Sequence, residues 1–261
     1  MNKKWFKNKR VQQLIPWLVP VGLIIIWQFL VQVGWLSTRV LPAPTGVLSA
    51  GIRLAMTGEL FRHIGISAGR AIGGFIIGGS IGLALGLLNG IFPVAEKLLD
   101  TSVQMIRNIP HLALIPLVIL WFGIGDEARL FLVALGVFFP IYINTFYGIR
   151  GVEPGLIEMG KVYGLNQTGL LWQIILPGAM PSILVGVRYA LGIMWITLIV
   201  AETIAADSGI GYMAMNAREF MQTDVVVLSI LMYAILGKLA DAGARLLEAR
   251  WLSWHPNYQA A

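Results

Sequence analysis

Serine, histidine and lysine stand here at several spacings that carry chemistry elsewhere. Gly65-Ile-Ser67-Ala-Gly69 and Gly78-Gly-Ser80-Ile-Gly82 both fit the pattern of a nucleophile elbow. That turn presents a serine only between a strand and a helix, whereas both copies here sit in one glycine-rich run of helical character. Gly155-Leu-Ile-Glu-Met-Gly160-Lys161-Val162 comes within one residue of a phosphate-binding loop. Val162 replaces the hydroxyl that would hold magnesium and no strand precedes it, so the chain is not expected to bind ATP by itself. His63, His111 and His255 are far apart and form no His-Glu-x-x-His helix, which argues against zinc. The chain has no cysteine, so disulfides and thiol chemistry are excluded. We expect no catalytic group, no cofactor and no metal.

The remaining polar candidates lie inside apolar runs. Arg107-Asn-Ile-Pro110-His111-Leu-Ala-Leu-Ile-Pro116 opens one such run, and its prolines are expected to bend a helix there. Asn108 and His111 are costly at membrane depth unless they face partners or water, or lie at the interface where a polar helix start costs little. Arg188 and Glu202 sit similarly, and a structural ion pair is the expected role of each.

Composition says what must position these groups. Apolar residues make up 57% of 261 residues and charged residues 12%, about half the share usual in soluble domains. A span needs roughly 20 mostly apolar residues. Such runs fall near 14–33, 64–92, 98–122, 128–149, 178–201 and 224–247, which predicts an all-α integral membrane protein of about six transmembrane helices. The organisation expected is a basic N-terminal segment 1–13, a first helix 14–33, an external connector 34–63, a main membrane domain 64–247 and a tail 248–261. The first run is too long for a signal-peptide core and lacks a small-x-small cleavage site, so it is read as uncleaved.

Basic residues cluster at the ends of apolar runs and not along one polar face, so the net charge of +6 points to topology and not to nucleic acid. With Lys3, Lys4, Lys7, Lys9 and Arg10 inside, eleven Lys and Arg fall on the cytoplasmic side against five outside, which places both termini in the cytoplasm. Within 64–92, Gly74, Gly78, Gly82, Gly86 and Gly90 recur at every fourth position. One helix face is nearly bare backbone and suits close approach of another helix, either within the chain or across a subunit interface.

The longest cytoplasmic segment between spans is about 150–177. Pro154 suits a first helical turn, Leu156, Ile157 and Val162 supply apolar positions, and Gly164 is placed to end the helix in a left-handed turn. Asn166 can cap a second short helix before Pro177 starts the fifth span. Glu158 and Lys161 would lie on exposed turns, with Tyr163 and Leu165 near the bend. Such a hairpin is either a knob for a partner's groove or a packed connector.

The spacing of Glu158, five residues, Gly164, nine residues, Ile174 and Leu176-Pro177 resembles the EAA loop of permease subunits of binding-protein-dependent ABC importers. Met159-Gly160 stands where that family has two alanines. The resemblance covers the whole chain, and Arg107–Gly123, Ala201-Glu-Thr-Ile-Ala205 and Gly209–Asp224 are similar to the aliphatic sulfonate branch, among relatives that move taurine, nitrate or pyrimidine precursors. It implies a type I, MetI-like transmembrane domain in the bacterial inner membrane. It also implies a second copy of the permease, two cytoplasmic ATPase subunits, an external binding protein and a small anionic substrate. Glu158, Met159, Gly160, Lys161, Tyr163, Gly164, Leu165, Ile174, Leu176 and Pro177 would form the ATPase-docking coupling loop. Asn108, His111, Tyr142, Asn144 and Asn216 are the candidates for the path of the anion. An ion-coupled secondary transporter is the rival class, but no inverted repeat and few central acids are found.

Overall fold

The computed structural model describes residues 9–254, so most of the basic N-terminal segment and the end of the C-terminal tail lie outside the described residues. Among those described, every regular element is a helix. In chain order they are α1 (Lys9–Gln32), α2 (Pro44–Met56), α3 (Glu59–Ile91), α4 (Pro93–Arg107), α5 (Ile115–Phe122), α6 (Asp126–Arg150), α7 (Pro154–Val162), α8 (Gln167–Leu170), α9 (Leu176–Ala205), α10 (Ile210–Glu219) and α11 (Thr223–Trp251).

Four helical stretches are long and apolar enough to cross a bilayer alone, and a fifth if α4 and α5 together make one span. The expected first span falls on α1, 24 residues long, whose apolar part is Leu18–Gln32. Two expectations need correction. The run 98–122 is not one bent helix: α4 stops at Arg107, a 3₁₀ turn follows at His111–Leu114, and the two halves meet at 80°. Pro110 has no N–H to donate and pushes Ile109 out of the helical region, so the chain breaks there instead of bending. Nor does Pro177 begin a separate span. Helices α8 and α9 run on through a π turn at Leu171–Ile175 as one stretch of 38 residues, Gln167–Ile204. That wider turn ends at Ile175, two residues before Pro177, where a backbone donor is missing.

The chain divides into two compact units, residues 1–62 with 213–231 and residues 63–212 with 232–261. In the first, Gln28 Oε1 accepts from the Thr45 N–H at 3.2 Å and Thr223 Oγ1 donates to the Thr38 carbonyl at 3.1 Å. Leu228 of α11 lies over Gly51 of α2, where a β-carbon would stand 3.3 Å from its Cδ1.

In the second unit α6 is the central helix. The glycine ridge of α3 lies along it: a β-carbon on Gly78 would stand 2.7 Å from the Ala134 carbonyl carbon, one on Gly82 2.6 Å from the Phe138 oxygen, and one on Gly86 2.9 Å from the Tyr142 oxygen. These are backbone atoms that cannot give way. The ridge is therefore used inside the chain, which settles the open choice between internal packing and a subunit interface. Ile72 and Ile76, half a turn away, remain largely exposed, as expected of a face whose solvent is lipid.

Helix α9 packs antiparallel on another face of α6. Gly148 meets Ser182, Gly186 meets Asn144, and Gly136 meets Thr197. Two apolar clusters hold this pairing, one of Ile115, Val118, Ala128, Leu132 and Ala201, the other of Ile149, Ala179 and Ile183. Helix α11 runs antiparallel beside α9, with Tyr233 near Trp195 and Asp241 near Arg188.

Candidate functional site

Helices α7 and α8 form the hairpin that the 150–177 segment predicts. Pro154 occupies the first turn of α7, where its missing N–H costs nothing. The helix ends in a Schellman motif: Gly164 has φ +80°, its N–H donates to the Lys161 carbonyl, and the Leu165 N–H reaches back to the Gly160 carbonyl, both at 3.0 Å. Asn166 then caps α8, accepting from the Gly169 N–H at 2.8 Å. The bend is set entirely by local chemistry.

Gly160 is the buried pivot of the hairpin. A β-carbon there would stand 2.7 Å from Leu170 Cδ2 and 3.3 Å from Leu165 Cδ1, and would also press on Ile174. Leu165 and Ile174 thus face inward and close the hairpin. Glu158, Met159, Lys161 and Tyr163 are exposed, and Leu176 and Pro177 belong to the long helix. Val162, one of the apolar positions of α7, is 86% exposed, because the inward face of α7 is already taken by Gly160. Leu156, Met159 and Tyr163, spaced on one helical face, join it to form an apolar surface with no cover. Trp172 on the second limb is exposed as well.

Four of the five path candidates lie in the second unit and Asn216 in the first. Asn108 is exposed at the end of α4, and His111 Nε2 lies 3.0 Å from Thr197 Oγ1 on α9. Tyr142 is fully buried, donating to Asp100 and accepting from Asn89 Nδ2, each at 2.7 Å. Asn144 caps the Pro140 carbonyl of its own helix at 2.8 Å, and Asn216 is exposed on α10 in the other unit. Among the described residues no hydrogen bond joins any two of them.

A larger polar centre surrounds Glu202, near the far end of α9. Its carboxylate is buried and accepts from Ser67 Oγ at 2.8 and 2.9 Å, Arg70 Nη1 at 2.9 Å, the Gly211 N–H at 3.0 Å and Tyr233 Oη at 2.8 Å. Arg70 in turn bonds Asp126 and both oxygens of Ser208. The expected ion pair exists, and so many donors repay the cost of burying a charge. Beside it, outside the spans, the hydrogen bond from Ser208 to Asp207 holds that exposed carboxyl below its usual range.

Residues 78–253 match the family described as binding-protein-dependent transport system inner membrane component. The chain belongs to that family. This permease is 61% identical, over 98% of its own length and 95% of the relative's, to the SsuC permease protein of Escherichia coli (strain K12), which is assigned by name to aliphatic sulfonate transport. It is 46% identical to the SsuC of Bacillus subtilis (strain 168), over 93% of this chain and 88% of that one. To the taurine transport system permease protein TauC of E. coli (strain K12) identity is 34%, over 91% and 88%. Its fold is similar to a chain of the MetNI methionine ABC transporter in inward-facing conformations, with a TM-score of 0.57 at 19% identity, over 74% of this permease and 97% of that chain. The fold is thus that of a type I importer permease.

The matched region contains the hairpin, the glycine ridge from Gly78 onward and Glu202. Sequence reasoning missed Val162 and Trp172 as exposed groups of this permease, since neither belongs to the Glu-Gly-Pro spacing. The signal available for Val162 was the glycine two residues earlier: a helix that turns its glycine inward must turn Val162 out.

Proposed function

We propose that two copies of this permease form the membrane pathway of an ATP-driven importer that carries aliphatic sulfonates into the cell. The hairpin is its contact with cytoplasmic ATPase subunits, and an external binding protein delivers the substrate. The observation that carries this reading is the uncovered apolar face of Leu156, Met159, Val162 and Tyr163 on a polar loop of a membrane chain. An apolar patch left to water marks a docking surface. The excess of eleven basic residues against five supports a cytoplasmic position for that loop and both termini of this multi-pass inner-membrane protein. The 61% identity to a protein named for aliphatic sulfonate transport supports the substrate class.

The continuous helix gives the coupling a mechanical route. Gln167–Ile204 is one helical stretch of 38 residues, about 57 Å at 1.5 Å per residue, running from the docking limb through the π turn at Leu171–Ile175 to the Glu202 centre. ATPase closure that displaces the hairpin displaces α9 as a rod, and packed interfaces convert that displacement into a switch between two arrangements. The permease itself makes and breaks no covalent bond.

Growth of a permease-deleted strain on ethanesulfonate as sole sulfur source, with and without this chain restored, tests the reading. Restored growth is expected. Rescue on nitrate as nitrogen source, or on taurine alone, would reassign the substrate.

A further inference from the structure

A second polar centre lies within the membrane segments of the second unit, and the function proposed above does not use it. Arg188 sits 12 residues into α9, about 18 Å along the helix from Leu176. Its Nε donates to Asp241 Oδ1 of α11 at 2.8 Å, and its Nη1 is 3.7 Å from Glu248. Asp241 is held independently, by Arg245 Nη2 at 2.7 Å and by Lys238 at 3.7 Å. Three cations thus meet two carboxylates, an excess of one positive charge. The Arg188 side chain keeps 41% of its surface exposed on α9, where the neighbouring outward residues Val185 and Tyr189 are apolar or aromatic. A charge so placed is costly against hydrocarbon and belongs on a face that borders water or protein.

The guanidinium opens onto a cavity of about 410 Å³ between α9 and α11. Asp241 and Arg188 form its polar side, and Val185, Leu191 and the Tyr189 ring its apolar side. Gly192 and Gly237 leave the space open: a β-carbon on Gly192 would meet nothing within 4 Å, and one on Gly237 only Trp195 Cδ1 at 4.0 Å. Packing does not require these glycines.

We propose that this cavity is the membrane-embedded recognition site for an amphiphilic anion, with Arg188 on the charged head and the apolar wall on an alkyl chain. The assignment rests on the importer reading above, and makes the ligand an alkanesulfonate in transit. Arg188 exchanges Asp241 for the sulfonate oxygens, which suit its forked donors. Arg245 and Lys238 keep Asp241 neutralised while it is released. The anion cancels the excess positive charge.

The test is uptake into vesicles that contain the permease with its ATPase and binding protein. Ethanesulfonate and octanesulfonate are compared, in phosphatidylcholine alone and with added phosphatidylglycerol. For Gly192→Leu, whose side chain fills the cavity, the ratio of octanesulfonate to ethanesulfonate uptake is expected to fall about tenfold or more. A purely structural glycine would change both rates together. Arg188→Gln should lower uptake of both sulfonates, and Arg188→Lys should restore part of it. An unchanged chain-length ratio in Gly192→Leu alongside active wild-type vesicles overturns the cavity assignment. Variant defects that depend on phosphatidylglycerol, with the ratio unchanged, would instead assign the cavity to a lipid headgroup. Wild-type vesicles that take up neither sulfonate would refute the importer reading itself.

Discussion

Gly164 is the residue on which the hairpin turns. Its φ of +80° is open to glycine but costs other residues about 1–2 kcal/mol, and proline cannot adopt it at all. Gly164→Pro also deletes the N–H that closes the turn on Lys161. That variant is expected to insert in the membrane but to lose its ATPase on purification; full co-purification would remove the hairpin from the docking role. Gly160 gives the opposite expectation. The atoms nearest its missing β-carbon are ends of the flexible Leu170 and Ile174 side chains, so Gly160→Ala, which restores the alanine usual in the family, should leave co-purification intact. Val162→Asp should weaken it, because the change puts a charge on an apolar docking face without touching the hairpin interior. The turn was legible in the sequence because Gly164 and Asn166 act through bonds to near neighbours. The outward direction of Val162 was not, since the side of α7 that packs inward is decided by Leu170 and Ile174 of the other limb.

Helix pairing follows the same division. The four-residue glycine repeat announced a face made for another helix, but only the contact with α6 shows which one. At Gly78 the obstacle is the Ala134 backbone, so Gly78→Ala should destabilise the detergent-solubilised protein by about 1–3 kcal/mol or more. Gly69→Ala, on the same helix with nothing within 4 Å, should be neutral or slightly stabilising. Equal melting temperatures for the two variants would contradict the ridge. At the far end of α9, Glu202→Ala strips Arg70 of its buried partner, a loss of about 3–5 kcal/mol read as a lower melting temperature. The sequence marked Glu202 as one half of an ion pair. It could not give the other half, because Arg70 lies 132 residues away and is brought there by the packing of α3. The break at Pro110 was half legible: proline predicts an interruption, but not that it opens to 80°.

Across the chain, membrane residence was written in the composition, and the family in a few polar residues among apolar ones. The five path candidates were chosen by residue type alone, and the structure puts them in separate surroundings. Arg188, expected as a structural pair, does pair with Asp241 and also lines a cavity. The proposed orientation rests on the charge bias and is directly checkable, because the chain has no native cysteine. Tyr163→Cys should react with a membrane-impermeant thiol reagent only after permeabilisation, and Ser208→Cys from outside intact cells. The reverse pattern would invert the topology and leave the hairpin where no ATPase could reach it. The most direct measurement of the central claim is sulfonate uptake into sealed vesicles that contain this permease, its binding protein and the ATPase, with ATP or an ion gradient as the sole energy source. Uptake that requires ATP and the ATPase subunit, and that Val162→Asp diminishes, is the predicted result. Uptake by the permease alone on an ion gradient would contradict it.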